Sequence, residues 1–260
     1  MIAERYITEW SKSFPWTKNS FVEQDMVICR ALVDIFSDPF LSDALAFRGG
    51  TAIHKLHFSP QVRYSEDIDL VQVAPGPVKP IVERMDKALD WLPGKSFDLR
   101  RFGFRMRFRY ESEVPPVEPM RLKIEVNTYE HFSVLGYASV PFDVQSGWFS
   151  GLCKIKTYFL DELMGTKLRA LYQRKKGRDL FDLNLALSRV DAPTIVRVWR
   201  EYMRFRGGEV PSAQQFAANM DEKMALNDYL GDVEPLLRSG VTFNPQEAYA
   251  EFKKTVLPLI

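Results

Sequence analysis

A glycine pair at the end of an apolar segment is the feature that most constrains this fold. The apolar residues 45–47 lead through Arg48 to Gly49, Gly50 and Thr51. Adjacent glycines let a strand end in a sharp turn, where the backbone can approach a ligand closely. Thr51 is placed to cap the following helix, whose unpaired N–H groups would face a bound anion. We predict a strand, a phosphate-binding turn and a helix, in that order.

The strand that follows, residues 66–71, carries two carboxylates. The strand period of two places Asp67 and Asp69 on one face, with Ile68 between them pointing into the core. Neighbouring carboxylates repel each other unless a cation lies between them. Beside a phosphate-binding turn they favour Mg²⁺, with Mn²⁺ as the alternative, shared with substrate phosphates. The other interpretation is a solvated strand end, because Asp-x-Asp alone is a weak motif.

A third carboxylate is predicted on the strand at residues 121–127. Apolar and polar residues alternate there, which puts Glu125 on the polar face of a half-buried strand. Three carboxylates on neighbouring strands can hold two metal ions for phosphoryl transfer. The predicted metal ligands are therefore Asp67, Asp69 and Glu125.

A second alternating segment, residues 102–110, has one aromatic face and one basic face. The basic face carries Arg105, Arg107 and Arg109. If this strand pairs with the Glu125 strand, its guanidinium groups would lie beside the carboxylates and could hold phosphates. An equally good interpretation is a solvated edge strand whose charges discourage aggregation.

A lysine interrupts the apolar stripe of the helix predicted at residues 160–171. At 100° per residue, Lys167 lies between Leu163 and Leu171. A buried ammonium without a partner is costly, so Lys167 should meet a carboxylate or a substrate phosphate. The alternative is a lysine that snorkels from the edge of the stripe.

Charged residues surround the turn after this helix. Gly177 is expected to end the helix and Asp179 to cap the next one, with Asp182 as its reciprocal partner. Arg174 continues the stripe that contains the lysine. Between residues 154 and 178, eight lysines and arginines stand against two acids, so this segment is a candidate surface for RNA or a triphosphate.

These motifs together resemble the nucleotidyltransferase superfamily that includes DNA polymerase β. The resemblance rests on Gly-Gly-Thr, on Ser-Glu-Asp-Ile-Asp-Leu at residues 65–70 and on the apolar-Glu-apolar strand. The long gap that contains Arg63 and Ser65, and the distal motif at residues 167–183, are similar to the AbiEii/AbiGii branch. That branch is the toxin half of bacterial abortive-infection toxin–antitoxin pairs.

The resemblance implies both an activity and site residues. It implies a toxin of a type IV-like phage-defence system that transfers a nucleotide from NTP to an RNA acceptor, expected to be the tRNA 3′ end, and that a cognate antitoxin neutralises. The resemblance implies that Lys167 contacts nucleotide phosphates and that Asp182 is essential for activity. We expect Arg174 to support Lys167. The expected catalytic residues are Asp67, Asp69, Lys167 and Asp182, and the expected nucleotide-binding residues are Gly49, Gly50, Thr51, Ser65, Lys167 and Arg174.

The composition agrees with an ordinary α/β protein. The chain has 260 residues, a net charge of +1, two cysteines and three histidines, which makes a disulfide framework or a zinc site improbable. We predict a nucleotidyltransferase-type mixed sheet with flanking helices and an N-terminal helical segment at residues 1–150, then a helical domain at residues 151–260 that completes the active site. No membrane segment or signal peptide is predicted, so we expect a cytoplasmic protein.

Two other functions fit parts of the pattern. A metal-dependent nuclease or phosphodiesterase would also use clustered carboxylates, although hydrolysis needs neither a triphosphate-binding turn nor Lys167. A non-catalytic module that binds nucleotide or RNA would have no need to keep all three carboxylates.

Overall fold

The computed structural model describes residues 2–205 and 207–260 and divides the chain into two compact units. The first extends to Ser133 and includes Tyr137–Tyr158, and the second comprises Val134–Gly136 and Phe159–Ile260. The two units divide between Tyr158 and Phe159, whereas the sequence prediction placed a boundary after residue 150. Residues 151–158 belong to the first unit because they form most of a strand that pairs with two others of its sheet.

A single mixed sheet organises the first unit. Its strands are β1 Leu45–Arg48, β2 Asp67–Gln72, β3 Ser96–Arg100, β4 Gly103–Glu111, β5 Pro119–Asn127, β6 Tyr137–Gln145 and β7 Ser150–Tyr158. Their order across the sheet is β3-β4-β5-β2-β1-β7-β6. β2 runs antiparallel to β1 and parallel to β5, so the glycine turn and the two predicted carboxylate strands lie side by side.

Five helices are described in the first unit: α1 Glu4–Ser13, α2 Asn19–Ser37, α3 Pro39–Ala44, α4 Gly49–Leu56 and α5 Lys79–Ala88. The long α2 packs against β5, β6 and β7. The apolar side chains of the central strands, such as Ile68 and Ile124, are fully buried. Burial of this face leaves the opposite face of β2, β4 and β5 to the polar residues.

The predicted basic strand is an interior strand of the sheet. β4 pairs with β5 along its whole length and with β3 on its other side. The edge-strand interpretation was therefore wrong, and the alternative, a basic strand beside the Glu125 strand, was correct. Arg105 lies directly opposite Glu125 in this pairing.

The second unit is helical. Its helices are α6 Leu160–Gln173, α7 Gly177–Ala186, α8 Ala192–Phe205, α9 Ala213–Met224, α10 Asn227–Leu230 and α11 Pro245–Thr255, with 3-10 turns at Leu187–Arg189, Glu234–Leu236 and Leu257–Leu259. α6 packs on α7 and α8. Buried Glu162 accepts hydrogen bonds from the backbone of Val134 and Leu135 and from Tyr202, which ties residues 134–136 to this unit. No helix among the described residues has the length and apolarity needed to cross a bilayer.

Candidate nucleotide and metal site

Three carboxylates project from neighbouring strands of the first unit, as predicted. Asp69 of β2 lies directly opposite Glu125 of β5, and Asp67 lies opposite Lys123. Both aspartates are partly exposed, whereas Ile68 between them is fully buried. Because side chains alternate along a strand, the three carboxylates share one face of the sheet.

The glycine turn lies directly against this carboxylate row. Gly49 has a φ of +80°, which disfavours every residue with a Cβ, and a Cβ at this position would overlap Asp69 Oδ2. A Cβ at Gly50 would lie 2.6 Å from Arg63 Nη2. Gly49 is thus required by its backbone conformation, whereas a Cβ at Gly50 would displace the Arg63 guanidinium; the turn brings the start of α4 next to Asp69.

Thr51 has a different role from the predicted helix cap. α4 begins at Gly49, and its N-cap residue, Arg48, forms no side-chain capping hydrogen bond. Thr51 instead lies in the first helical turn, where its hydroxyl donates to the backbone carbonyl of Asp67 at 2.5 Å and lies 2.8 Å from Ser65 Oγ. Since that proton goes to Asp67, Ser65 donates to Thr51. The two hydroxyls therefore fix the turn to the start of the carboxylate strand.

Basic side chains neutralise two of the three carboxylates. Lys123 Nζ lies 2.7 Å from Asp67 Oδ2 and 3.8 Å from Glu125 Oε1. Arg105 Nε donates to Glu125 Oε1 at 2.5 Å. These contacts follow from strand register, because Lys123 and Arg105 are the cross-strand partners of Asp67 and Glu125.

Asp69 is the exception in the row. Within residues 2–205 and 207–260, no hydrogen bond or ion pair reaches its carboxylate. Burial raises the pKa of Asp69, and the nearby charge of Asp67 raises it further, against the opposing effect of Arg48. A carboxylate in this state lacks a compensating cation.

The carboxylates of Asp67, Asp69 and Glu125 suit a hard divalent cation, because they supply oxygen ligands and lie on neighbouring strands. Three carboxylates supply only oxygen atoms, which Mg²⁺ prefers, and the Asp69 carboxylate has no protein partner among the described residues. As they stand, however, no three Asp, Glu, His or Cys side chains in the described part of the chain converge closely enough to hold a metal ion. Lys123 and Arg105 occupy the oxygens of the other two carboxylates, so a metal ion would replace them there.

Sequence reasoning overlooked a buried ion pair beside the carboxylates. Arg48 lies opposite Asp69 across the β1–β2 pair, and its Nη1 is 2.6 Å from Glu130 Oε2. The Glu130 side chain is completely buried, and its backbone N–H donates to Asn127 at the end of β5. Burial alone would lower the pKa of Arg48, but the charge and hydrogen bond of Glu130, together with the nearby Tyr158 and Asp69, outweigh burial and raise the pKa. Glu130 thereby holds a permanent positive charge next to Asp69.

The second unit contains a separate cluster around the predicted lysine. The Lys167 side chain is 6% exposed, and its ammonium lies 3.0 Å from Asp179 Oδ1 and 2.8 Å from Asp182 Oδ2. Both carboxylates are fully buried. The prediction that Lys167 meets an anion was correct with carboxylates as the partners, and the snorkelling alternative was wrong.

The cap predicted for Asp179 was also wrong. α7 begins at Gly177 rather than after it, and Asp179 lies inside its first turn without capping it. Arg174 instead binds Asp179 with two parallel contacts, Nε to Oδ2 at 2.6 Å and Nη2 to Oδ1 at 2.7 Å. Burial would raise the pKa of Asp179, but the charge of Lys167 and the hydrogen bond from Arg174 lower it overall.

A second buried lysine supports this cluster. Lys223 of α9 donates to the backbone carbonyls of Leu171 and Tyr172 in the last turn of α6. These carbonyls have no partner within the helix, and a cation is favourable at a helix C-terminus. Lys223 thus fixes the point from which Arg174 leaves α6. Its sequence context, an amphipathic helix, contains no signal that would have identified it.

The mixed sheet with its flanking helices has a nucleotidyltransferase fold, and the solved structures with a similar fold include the following two. MenT4, a nucleotidyltransferase toxin from Mycobacterium tuberculosis H37Rv, is similar with a TM-score of 0.56 and 15% identity over 100% of this chain and 98% of that one. JHP933 from Helicobacter pylori is similar with a TM-score of 0.54 and 16% identity over 94% and 93%. At these identities the likeness concerns the fold alone.

The family is defined by sequence. The family model described as "Nucleotidyl transferase AbiEii toxin, Type IV TA system" matches residues 30–256. The chain therefore belongs to the AbiEii family of nucleotidyltransferase toxins, which confirms the resemblance drawn from its motifs. No match was found among curated proteins.

Proposed function

We propose that this chain is a toxin that transfers a nucleotide from NTP to the 3′ end of an RNA acceptor, with tRNA as the candidate. The single observation that carries the transfer chemistry is the row of Asp67, Asp69 and Glu125 directly against the glycine turn. A triphosphate needs a backbone donor surface on one side and oxygen-bound cations on the other. The glycine turn would supply the donors, and the carboxylate row would supply oxygen ligands for the cations.

Each residue of the first unit has a specific task in this proposal. Asp67, Asp69 and Glu125 would hold Mg²⁺, which when bound supplies charge neutralisation for the triphosphate and activation of the acceptor hydroxyl. The N–H groups at Gly50 and Thr51 would hold phosphate oxygens at the start of α4. Ser65 keeps Thr51 in place through its hydroxyl contact of 2.8 Å.

The buried cluster of the second unit pairs two cations, Lys167 and Arg174, with the carboxylates of Asp179 and Asp182. We assign Lys167 to the nucleotide phosphates, as the resemblance implies, and we propose that Arg174 supports it. Asp182 at 2.8 Å from the Lys167 ammonium supports an orienting role rather than that of a general base. The ammonium occupies the carboxylate oxygen that a general base would use to accept a proton.

The biological role follows the family. A type IV toxin acts with an antitoxin encoded beside it, and we propose that this chain modifies RNA during phage defence until the antitoxin neutralises it. Growth arrest on expression in a bacterial host, relieved by the neighbouring gene, is the expected phenotype. The carboxylate row should be required for that arrest.

The test is transfer of labelled NTP to total bacterial RNA by the purified protein with Mg²⁺. Wild type should label RNA and release pyrophosphate, and Asp67→Asn should abolish both. Asp43→Asn is the matched control, since the Asp43 side chain is 94% exposed and lies outside the carboxylate row. RNA that shortens without incorporation of label would favour the nuclease, and an Asp67→Asn protein that still arrests growth would favour a binding module.

A further inference from the structure

We infer that a basic track on the first unit, formed by Arg107, Arg109, Arg121 and Lys123, binds the phosphates of the single-stranded 3′ end of the acceptor RNA. The inference deepens the proposed function and rests on it for the identity of the site that the track approaches. Each of the four residues lies on β4 or β5. Their arrangement is set by the pairing of these strands.

The track consists of two successive rungs of the β4–β5 ladder. Arg109 lies directly opposite Arg121, and Arg107 lies directly opposite Lys123. Residues two apart on a strand share a face and lie about 7 Å from each other. The four charges therefore form a compact basic surface on the face that also carries the carboxylates.

Two like charges directly opposite each other destabilise a sheet. Lys123 is balanced by Asp67, and Arg107 is balanced by Asp98. Neither Arg109 nor Arg121 forms a side-chain hydrogen bond or ion pair with any residue in the described part of the chain, and both are exposed. The outer rung thus carries an electrostatic cost that no protein contact offsets, and an anionic ligand would offset it.

The track leads directly to the proposed site of transfer. The next rung after Arg107 and Lys123 pairs Arg105 with Glu125, and Glu125 lies opposite Asp69. A strand of RNA along the three rungs would place its terminal hydroxyl at the carboxylate row. Guanidinium groups suit this task because their planar fork binds a phosphate through two hydrogen bonds.

The composition of this face favours RNA over a protein partner. The aromatic and apolar side chains of β4, such as Phe104 and Phe108, are buried on the opposite face. A protein interface normally has an apolar or aromatic centre, which this face lacks. The acids that share the face are Asp98, already paired with Arg107, Glu111 at the far end of β4 and the carboxylate row itself.

The test is the affinity of the whole protein for a short single-stranded RNA, without NTP, at several salt concentrations. The logarithm of the binding constant falls linearly with the logarithm of the salt concentration, and each phosphate contact on a single strand contributes about 0.7 to the size of this slope. R109Q/R121Q should therefore lower the size of the slope by about 1.4. At 0.1 M salt this corresponds to binding about 25-fold weaker. K12Q/K87Q is the control, because both lysines are exposed in helices of the same unit.

Three further readouts separate the possible outcomes. R109Q/R121Q should unfold at the same temperature as wild type or higher, because its like-charged rung is removed, and should still bind NTP. Weaker RNA binding by R109Q/R121Q supports the track even if no nucleotide is transferred, in which case the proposed function alone fails. If R109Q/R121Q binds RNA as well as K12Q/K87Q does, the track is overturned whether or not transfer occurs. The same holds if R109Q/R121Q loses only the binding of an acidic protein partner.

Discussion

Replacing Lys167 by methionine should destabilise the second unit far more than any surface substitution does. Methionine keeps a similar length and removes the charge. Asp182 then loses the ammonium at 2.8 Å, and Asp179 keeps only Arg174. Both carboxylates remain fully buried. A buried charge that loses its partner is the situation in which removing one side chain is most destabilising.

The expected magnitude follows from this burial. Breaking a buried ion pair costs about 3–5 kcal/mol, and each kcal/mol lowers the melting temperature by about 2–4 °C in a chain of this size. Lys167→Met should therefore lower it by about 6–20 °C. Adding Asp182→Asn removes one of the charges left behind. The double variant should recover part of the loss, with a coupling energy of about 2–3 kcal/mol.

Thermal unfolding followed by circular dichroism measures the melting temperature, and urea unfolding measures the free energy of unfolding and the coupling energy. Lys175→Met is the matched control, because Lys175 is exposed in the same segment and should change stability by less than about 0.5 kcal/mol. A Lys167→Met protein as stable as this control would refute the reasoning. So would a double variant no more stable than the single one.

Three further outcomes are expected. Gly49→Ala should lower nucleotide transfer about 100-fold, because the added Cβ displaces Asp69. The control, Gly240→Ala, has a φ of +82° but lies in open space, so it should affect stability only. Equal activities of the two variants would contradict the steric argument. Glu130→Gln should raise the Mg²⁺ concentration needed for half-maximal transfer about tenfold, because Arg48 is freed to bind Asp69, and an unchanged titration would exclude this. The pKa of Asp179 is lower in the folded protein than its ordinary value of 3.8. Its ionised carboxylate therefore stabilises the fold above pH 3.8, and this stabilisation is lost as the pH falls through the lower, folded-state pKa. The stability of Asp179→Asn should not show this loss in an acid titration.

Periodicity was sufficient to predict the placement of the carboxylate row and of the glycine turn. Strand alternation placed Asp67, Asp69 and Glu125 on one polar face, and the glycine pair predicted the turn beside them, because both depend on local geometry. The pairing of Arg105 with Glu125 was left open, since a local pattern does not determine which strands are neighbours.

Side-chain partners distant in sequence could not be predicted in the same way. The role of Glu130 depends on a pairing with Arg48 across 82 positions. Asp179 was assigned to a cap because capping is a local rule, but its actual partners, Lys167 and Arg174, reach it from the preceding helix and the turn after it. Buried charge favours the nearest buried opposite charge over a solvated backbone donor.

The two clusters differ in how their charges are balanced, and this difference bears on their roles. In the first unit the carboxylates of Asp67 and Glu125 are held by partly exposed cations that solvent screens, so these contacts are weak and exchangeable. In the second unit the Lys167 ammonium lies between carboxylates that water does not reach, so its contacts are strong and fixed. The carboxylate row can therefore fold without a metal ion and still release its oxygens to one, whereas the Lys167 cluster first stabilises its helices. Loss of activity in a Lys167 variant thus needs a stability measurement beside it before it is assigned to chemistry.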